Sequence, residues 1–431
     1  MVSKIWNSPS ARNVGKLFSA NVIAQVIGIL IYPILTRIYT PDDFGLMGLF
    51  ASLAGILVII STANYQEAIP LPKDEKYGIG AFHVGLVFLM VITGLLFVTI
   101  PFGGSIAELF NEPLLARWYW LLPVYVLLGG LWLLLNNWYI RTKKFASTAR
   151  YQIWLTITST GSKVGLGYVH PSAGGLIWSS IFGNFIALVV SVIRNWKQSL
   201  RQLTNFDKSA CLYVIRKYKN FPLFSLPQCL INQASGQLPI WFLIPVFGAE
   251  KIGLWNMAIL LSFTPINLIS RAINQVFYQN FANKLNNGLS FRHFYLRFFA
   301  FSSLILIPLF LALWFVLPQL TQFILGVEWR ETGEYIRWFL PWLFLSVINS
   351  GINFMPNLFF KQKMALALEI VLFVLRLVGV IAAIITNNFI VGVAGFALAS
   401  FITNLIQLIW YISLIQRYER DLAIVSPNLS E

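Results

Sequence analysis

The chain has 431 residues, of which 57% are hydrophobic and only 11% are charged, whereas soluble domains carry about 25% charged residues. This composition excludes an ordinary water-soluble domain. The formal net charge of +15 does not indicate a nucleic-acid surface, because most basic residues lie in loops between apolar segments, where they set membrane topology.

Apolar segments of roughly 18 to 25 residues recur along the whole chain, and each can cross a hydrocarbon layer of about 30 Å as a helix. The pattern predicts an all-α polytopic membrane protein with about 12 transmembrane helices. In chain order, the predicted spans are 14–36, 44–65, 79–101, 118–140, 151–169, 174–194, 221–246, 253–277, 295–317, 336–359, 366–385 and 391–415.

The loops that share one side of the membrane in this prediction hold most of the basic residues. Basic loops stay in the cytoplasm during insertion, so we expect both termini to be cytoplasmic. The longest polar connection, from Arg194 to Asn220, divides the chain almost in half. We therefore predict four parts, which are an N-terminal six-helix bundle over 1–200, a cytoplasmic linker over 201–220, a C-terminal six-helix bundle over 221–417 and a cytoplasmic tail over 418–431.

Cysteine and histidine residues indicate neither a disulfide nor a metal site. Cys211 lies in the predicted cytoplasmic linker and Cys229 in the seventh span, so we expect no bond between them. His83, His170 and His293 are far apart in the chain and lack the spacing of metal ligands. We expect no cofactor and no metal.

Two polar turns in the chain share a pattern. Ile38 to Met47 reads IYTPDDFGLM, and Val246 to Trp255 reads VFGAEKIGLW. An ungapped shift of 208 residues (253 minus 45) pairs Gly45 with Gly253 and continues into the flanking spans. Further pairs under this shift are Ile23 with Ile231, Gln25 with Gln233, Gly28 with Gly236 and Leu35 with Leu243, and a shift of 220 (395 minus 175) pairs Gly175 with Gly395 and Asn184 with Asn404.

These matches predict two six-helix parallel repeats, an N-lobe and a C-lobe, around a central cavity. Transporters of this design open the cavity to alternate faces as the two bundles rock against each other. We expect the two repeated turns to be extracytoplasmic hairpins at the mouth of the cavity. Gly45 and Gly253 would start the returning helices in tight packing, and Arg37 would act at the mouth or gate.

Three segments carry a family resemblance, namely PILTR from Pro33 to Arg37, TPDDFG from Thr40 to Gly45, and NYQEAIPLPKDE from Asn64 to Glu75. They resemble bacterial polysaccharide and O-antigen flippases of the multidrug/oligosaccharidyl-lipid/polysaccharide (MOP) exporter superfamily. In that family, an aromatic-acidic-Ala-Ile run precedes Leu-Pro in the first cytoplasmic loop. The resemblance implies a MATE-like fold of two lobes.

The same resemblance implies a function. A flippase of this family would move an undecaprenyl-pyrophosphate-linked oligosaccharide repeat unit of O-antigen, capsule or exopolysaccharide across the bacterial inner (plasma) membrane. Transport would run from the inner to the outer leaflet by alternating access. The implied partners are the lipid-linked glycan on its undecaprenyl pyrophosphate carrier, membrane lipids, a polysaccharide polymerase and a chain-length regulator, without nucleic acid.

Ionisable residues inside the predicted spans are few and mostly cationic. Away from the first and last few residues of each span, they are Lys163, Arg271 and Arg376, against one acid, Glu369. A positive interior suits an anionic head group such as a pyrophosphate, so we predict that these residues line the substrate cavity. Arg271 could instead extend toward lipid head groups near its span end, and Glu369 could be the counter-ion of Arg376 or lie at the cytoplasmic end.

Polar residues also form a stripe along the first and seventh spans. Its members Asn21, Gln25, Asn232 and Gln233 are predicted cavity residues that would contact sugar, and interhelical hydrogen bonding is the alternative. Aromatic residues at span ends indicate an interfacial belt, whereas a mid-span residue such as Trp241 could stack on sugar.

Two other functions use the same features differently. A cation-coupled multidrug exporter of the same superfamily would be expected to keep an acidic residue in its first-half helices, and the first six predicted spans have none. A membrane enzyme of polysaccharide assembly, such as a polymerase, would need a large extracytoplasmic loop with catalytic groups. The loops near 102–117 and 318–335 are short and hold no nucleophile-base arrangement, so we expect no enzyme.

Overall fold

The computed structural model describes residues 28–286, 289–359 and 361–425, and the regular elements in these ranges are all helical. The chain divides into two compact units, Met1–Gly253 and Leu254–Glu431. The helices of the first unit are α1 (Tyr32–Ile38), α2 (Pro41–Ser61), α3 (Glu75–Val98), α4 (Gly103–Leu109), α5 (Pro113–Tyr119), α6 (Leu122–Arg141), α7 (Phe145–Val169), α8 (Ala173–Asn195) and α9 (Lys208–Lys217).

The long helix α10 (Leu226–Asn286) continues from the first unit into the second. The second unit then contains α11 (Arg292–Leu325), α12 (Arg330–Ser350), α13 (Met355–Leu358), α14 (Gln362–Thr386) and α15 (Phe389–Val425). Short 3₁₀ turns lie at Tyr65–Ala68, Ile100–Phe102, Arg201–Thr204 and Val327–Trp329, and π turns lie at Trp196–Leu200 and Phe221–Ser225.

Eight helices of the described ranges are long and apolar enough to cross a membrane, which confirms a multi-pass membrane protein. One of them, Phe221–Asn274, covers the predicted span 221–246 and most of 253–277, and its backbone leaves helical geometry at Gly248 with φ 82° and ψ 172°. The predicted span 151–169 lies on the less apolar helix α7. The predicted span 336–359 begins on α12, which is also less apolar and ends at Ser350, and continues into α13. Most of the first predicted span lies outside the described residues, so the count of twelve and the two-repeat division stay predictions.

The TPDDFG segment is a helix start. Thr40 caps α2, because its hydroxyl oxygen accepts a hydrogen bond from the Asp43 backbone N–H. The Asp43 carboxylate accepts one from the Thr40 backbone N–H at 3.1 Å. Pro41 occupies the first helical position, where the missing N–H of proline costs no hydrogen bond. This reciprocal capping fixes where α2 begins.

Helix pairs approach closely through small residues, as is common between membrane helices. A Cβ on Gly379 of α14 would lie 2.9 Å from the backbone carbon of Gly395 on α15. In the first unit, a Cβ on Gly183 of α8 would lie 2.6 Å from the Cβ of Ser159 on α7. Each unit thus contains a helix pair whose close approach requires a small residue.

The predicted linker 201–220 contains α9, which packs on α3. A Cβ on Gly80 would lie 3.0 Å from the backbone carbon of Ala210, and Lys76 forms a salt bridge of 2.8 Å with Asp207. This contact explains why a polar connection adopts ordered structure in the first unit.

Candidate functional site

The two repeated turns meet in a reciprocal contact inside the first unit. A Cβ on Gly45 would lie 1.8 Å from the carbonyl oxygen of Ala249, and a Cβ on Gly253 would lie 1.8 Å from that of Pro41. Both distances are far below van der Waals contact, so only glycine fits. The 208-residue shift that pairs Gly45 with Gly253 also pairs Pro41 with Ala249. We call these four residues the glycine corner.

The connection between α4 and α5 contacts the same corner. Asn111 donates a hydrogen bond from Nδ2 to the carbonyl oxygen of Pro245 at 3.4 Å. Burial and, to a lesser degree, the Asp42 carboxylate raise the pKa of Glu112, while the backbone N–H of Ala249 lowers it. The Glu112 side chain therefore lies beside both turns. The predicted gate residue Arg37 is exposed in the last turn of α1.

Helix α2 also contacts the first half of α10 beyond the corner, at Ser52 and Gly55. Trp241 Nε1 donates a hydrogen bond to Ser52 Oγ at 2.9 Å. The Gln233 amide nitrogen would lie 3.4 Å from a Cβ on Gly55. We call this surface the α2/α10 seam. Trp241 thus has a hydrogen-bond partner on α2, and Gln233 faces the seam.

A buried polar network ends the seam. Thr62 Oγ1 donates a hydrogen bond to Gln66 Oε1 at 2.6 Å, and Gln66 Nε2 donates to Asn64 Oδ1 at 2.7 Å. Asn64 adopts the left-handed conformation with φ 59° and approaches Cys229 Sγ of α10 at 4.0 Å. Strained backbone of this kind persists only where its surroundings hold it, so the network fixes the loop that follows α2.

Arg141 holds the rest of this loop. Its Nη1 donates hydrogen bonds to the carbonyl oxygens of Ile69 at 3.0 Å and Pro72 at 2.7 Å, and its Nη2 donates to that of Asp74 at 2.9 Å. These residues belong to the NYQEAIPLPKDE segment. The NYQEAIPLPKDE segment is therefore an ordered loop that Arg141, the last residue of α6, holds by hydrogen bonds.

Lys163 lies on α7, at the place where α1 packs against that helix. Tyr39 donates a hydrogen bond from its hydroxyl group to the backbone carbonyl of Lys163 at 2.7 Å. The Lys163 side chain is half-buried, and its ammonium group makes no hydrogen bond or ion pair with another described residue. Burial without such a partner is costly for a charge, which makes Lys163 a candidate ligand for an anion.

Arg376, in the second unit, has several partners. It is 8% exposed, and its Nε and Nη2 donate hydrogen bonds to Ser400 Oγ at 3.1 and 3.0 Å. Its guanidinium carbon lies 4.0 Å from the centre of the Phe396 ring and 5.5 Å from that of Trp342. Glu369, also on α14, takes part in interactions of its own. Arg376 is thus packed between two aromatic rings and a hydroxyl group, and its contact with substrate stays a prediction.

The remaining predicted site residues are dispersed. Arg271 and Asn232 are both exposed on α10, and Asn232 takes part in interactions of its own. Asn21 and Gln25 lie outside the described residues. Within the described ranges, the structure brings together the predicted pair Gly45 and Gly253, and it places Glu369 close enough to Arg376 for an electrostatic interaction. No group of three or more His, Cys, Asp or Glu side chains in those ranges is placed to hold a metal ion.

Sequence reasoning missed several residues of this site. Pro41 and Ala249 could have been found, because they stand at the same offset as the two glycines. The carbonyl contacts of Arg141 could not, because loop carbonyls leave no signal in side-chain chemistry. The aromatic partners of Arg376 depend on how α12, α14 and α15 are rotated, which the apolar pattern of buried helices does not specify.

The chain resembles proteins of polysaccharide assembly. The sequence pattern of the family described as polysaccharide biosynthesis protein matches residues 34–334. One relative, the amylovoran biosynthesis protein AmsL of Erwinia amylovora, is 23% identical over 250 residues, which are 58% of this chain. The match spans 63% of the length of AmsL, less than two thirds of that protein.

Solved structures with a similar fold are membrane transporters. The lipid II flippase MurJ in an inward closed conformation has a TM-score of 0.66 and 14% identity, covering 96% of this chain and 92% of MurJ. An inward-facing multidrug resistance MATE transporter of the MOP superfamily has a TM-score of 0.59 and 11% identity, covering 94% and 95%. These similarities confirm the predicted all-α, MATE-like fold.

Proposed function

Because the chain belongs to the polysaccharide biosynthesis protein family, we propose that it is a flippase for undecaprenyl-pyrophosphate-linked oligosaccharide repeat units of a surface polysaccharide. It would work in the bacterial inner membrane with both termini in the cytoplasm. Its partners would be the lipid-linked glycan, a polymerase and a chain-length regulator. The MATE-like fold and the relative from amylovoran biosynthesis support this proposal.

The observation that carries the proposal is the half-buried ammonium group of Lys163, which no described side chain neutralises. A pyrophosphate has at least two negative charges, and its passage through a low-dielectric interior needs fixed positive charge. A drug exporter that binds cations would instead need a carboxylate in the corresponding helices. None of the described membrane-spanning segments of the first unit offers a buried carboxylate.

Alternating access would use the glycine corner as its extracytoplasmic closure. The first half of α10 belongs to the predicted C-terminal bundle, yet it lies in the first compact unit, against α2. An outward opening would therefore separate α10 from α2 at the corner and along the seam. Separation would break the close backbone packing at the corner and the hydrogen bond from Trp241 to Ser52.

Deletion of the gene in its source bacterium tests the proposed substrate. We expect surface polysaccharide to disappear and lipid-linked repeat units to accumulate on the inner leaflet, measured by mass spectrometry of extracted lipids and by their inaccessibility to added glycosidase. Intact surface glycan with increased drug sensitivity would support the multidrug exporter instead. Single repeat units stranded on the outer leaflet would support a polymerase.

A wedge at the glycine corner tests the proposed closure. Gly45→Val places carbon atoms where the Ala249 carbonyl lies, so we expect the corner to stay open and export to fall roughly tenfold or more. Gly94→Val is the matched control, because a Cβ on Gly94 of α3 meets nothing within 4 Å. Normal export by Gly45→Val, at a membrane level equal to that of Gly94→Val, would contradict the closure.

A further inference from the structure

Two irregular turns follow α8, and their residues line a pocket that is open to the surface. A π turn over Trp196–Leu200 is followed by a 3₁₀ turn over Arg201–Thr204. π turns next to α-helices are frequent at functional sites, because they displace side chains from the regular helical pattern. The pocket between these turns, of about 510 Å³, includes in its lining Lys197, Ser199, Arg201, Gln202, Thr204 and Asn205. We call it the basic pocket.

Neighbouring helices hold the backbone of this pocket in place. Trp138 Nε1 of α6 donates a hydrogen bond to the carbonyl oxygen of Ser199 at 3.0 Å. His83 Nε2 of α3 lies 2.7 Å from the carbonyl oxygen of Leu203. Trp138 is fully buried, and Ser199 is only 4% exposed. The pocket is therefore built on two anchored carbonyl groups and is not a loose surface loop.

The charge of the pocket is positive and unbalanced. Neither Lys197 nor Arg201 forms an ion pair with a described residue, and no acidic residue lines the pocket. The next acid along the chain, Asp207, is committed elsewhere, because Lys76 binds it at 2.8 Å and lowers its pKa. The Ser199 hydroxyl group, although buried, has no hydrogen-bond partner among the described residues. Two cations with no lining carboxylate match a phosphate group.

The surroundings of the pocket indicate that this phosphate belongs to a lipid. The pocket ends the candidate span Ala173–Thr204. Exposed apolar side chains flank it, with Ile193 70%, Trp196 45% and Phe206 64% exposed. Tryptophan at the end of a span marks the depth of the head groups, and exposed apolar side chains beside it offer a surface for an acyl chain. A lipid head group would thus reach Lys197 and Arg201 without leaving the membrane.

From this arrangement, we propose that the basic pocket binds the phosphodiester head group of an anionic phospholipid. Two cations with no lining carboxylate favour a head group with net negative charge over a zwitterionic one, because the amine of the latter would find no acceptor charge. The proposal does not depend on the exported cargo. It assigns to this segment a lipid site that is separate from Lys163 and from the glycine corner.

Native mass spectrometry of the full-length protein can test the site. The protein is released from bilayers of phosphatidylcholine or of phosphatidylcholine mixed with phosphatidylglycerol, and retained lipids are counted. We expect retained phosphatidylglycerol to fall roughly fivefold for each charge removed in Lys197→Gln/Arg201→Gln. The matched control, Lys208→Gln/Arg216→Gln, removes two exposed charges of α9 outside the pocket and should retain the wild-type level.

Several results would overturn the proposal. An equal loss of phosphatidylglycerol in both double variants would show a diffuse attraction to basic charge. Equal retention of phosphatidylcholine and phosphatidylglycerol would show that the site does not select for head-group charge. Displacement of the lipid by excess inorganic phosphate would identify a site for a soluble anion. If the pocket double variant unfolds in phosphatidylcholine alone, the single variant Lys197→Gln is measured, and unchanged retention there would reject the site.

Discussion

Lys163 and Arg376 are buried or half-buried cations on the fifth and eleventh predicted spans, but their surroundings differ. The ammonium group of Lys163 has no bonding partner among the described residues. The guanidinium group of Arg376 is held by Ser400 and by two aromatic rings. A cation with partners inside its own unit contributes to packing, whereas one without them can bind an anionic ligand. The difference teaches that sequence position alone does not assign a function to a membrane-buried charge.

Of the substitutions that test this difference, Lys163→Ala should have the largest effect on export. We expect a drop of roughly tenfold or more, because a charge-assisted hydrogen bond contributes about 1.5–3 kcal/mol. Surface polysaccharide per unit of membrane protein is the measurement. Lys163→Met, which keeps the apolar stem, should fail as Lys163→Ala does, whereas Lys163→Arg should retain most export.

If Lys163→Met exports normally, the charge of Lys163 does not contribute to export, and the proposed difference between Lys163 and Arg376 is wrong. A fall in the amount of protein in the membrane, in proportion to the fall in export, would equally assign Lys163 to folding. Both outcomes are read from one immunoblot beside the polysaccharide measurement.

Arg376→Ala should mainly reduce stability. The substitution removes two hydrogen bonds to Ser400 and the contacts with Phe396 and Trp342, for a cost of about 2–3 kcal/mol. We expect a lower midpoint of thermal unfolding in detergent and a lower membrane level, with export per protein molecule changed less than twofold. Arg376→Lys keeps the charge but loses the paired contact with Ser400, and it should fall between wild type and Arg376→Ala.

Loss of export in Arg376→Ala at normal stability would reverse this assignment and place Arg376 in the substrate path. Ser400→Ala provides a second measurement. It removes the acceptor and leaves the cation, so it should lower stability by about 1 kcal/mol without a change in export.

Arg271→Gln should have the smallest effect of the three cations. Arg271 is exposed on α10 and has no bonding partner among the described residues, so it can extend toward lipid head groups. We expect export and membrane level within about 1.5-fold of wild type, because exposed charges contribute little to stability. A drop as large as that of Lys163→Ala would show that exposure is a poor guide to function here and would break the comparison.

The sequence predicted the fold class well, because long apolar runs in lipid can only be satisfied by helices. It also predicted the tight packing of Gly45 and Gly253, since a repeated glycine beside a repeated turn indicates close backbone approach. It could not indicate that each glycine packs against the other turn. A sequence repeat shows which positions are equivalent, but not which of them are in contact. For Arg376, the span was predictable and its neighbours were not, since Ser400 and Phe396 reach it only at one rotation of α15.

The reciprocal contact at the glycine corner has a consequence for how the gene can change. Gly45 faces Ala249, and the equivalent residue Gly253 faces Pro41, which is the equivalent of Ala249. This exchange has the symmetry of an interface between two identical subunits. Such a corner is what the fusion of a self-associating half-length ancestor would leave behind. The atoms that face Gly45 and Gly253 are main-chain carbonyls, so no compensating side-chain substitution can make room for a larger residue. Relatives of this chain are therefore expected to retain these two glycines together, while the residues around them diverge.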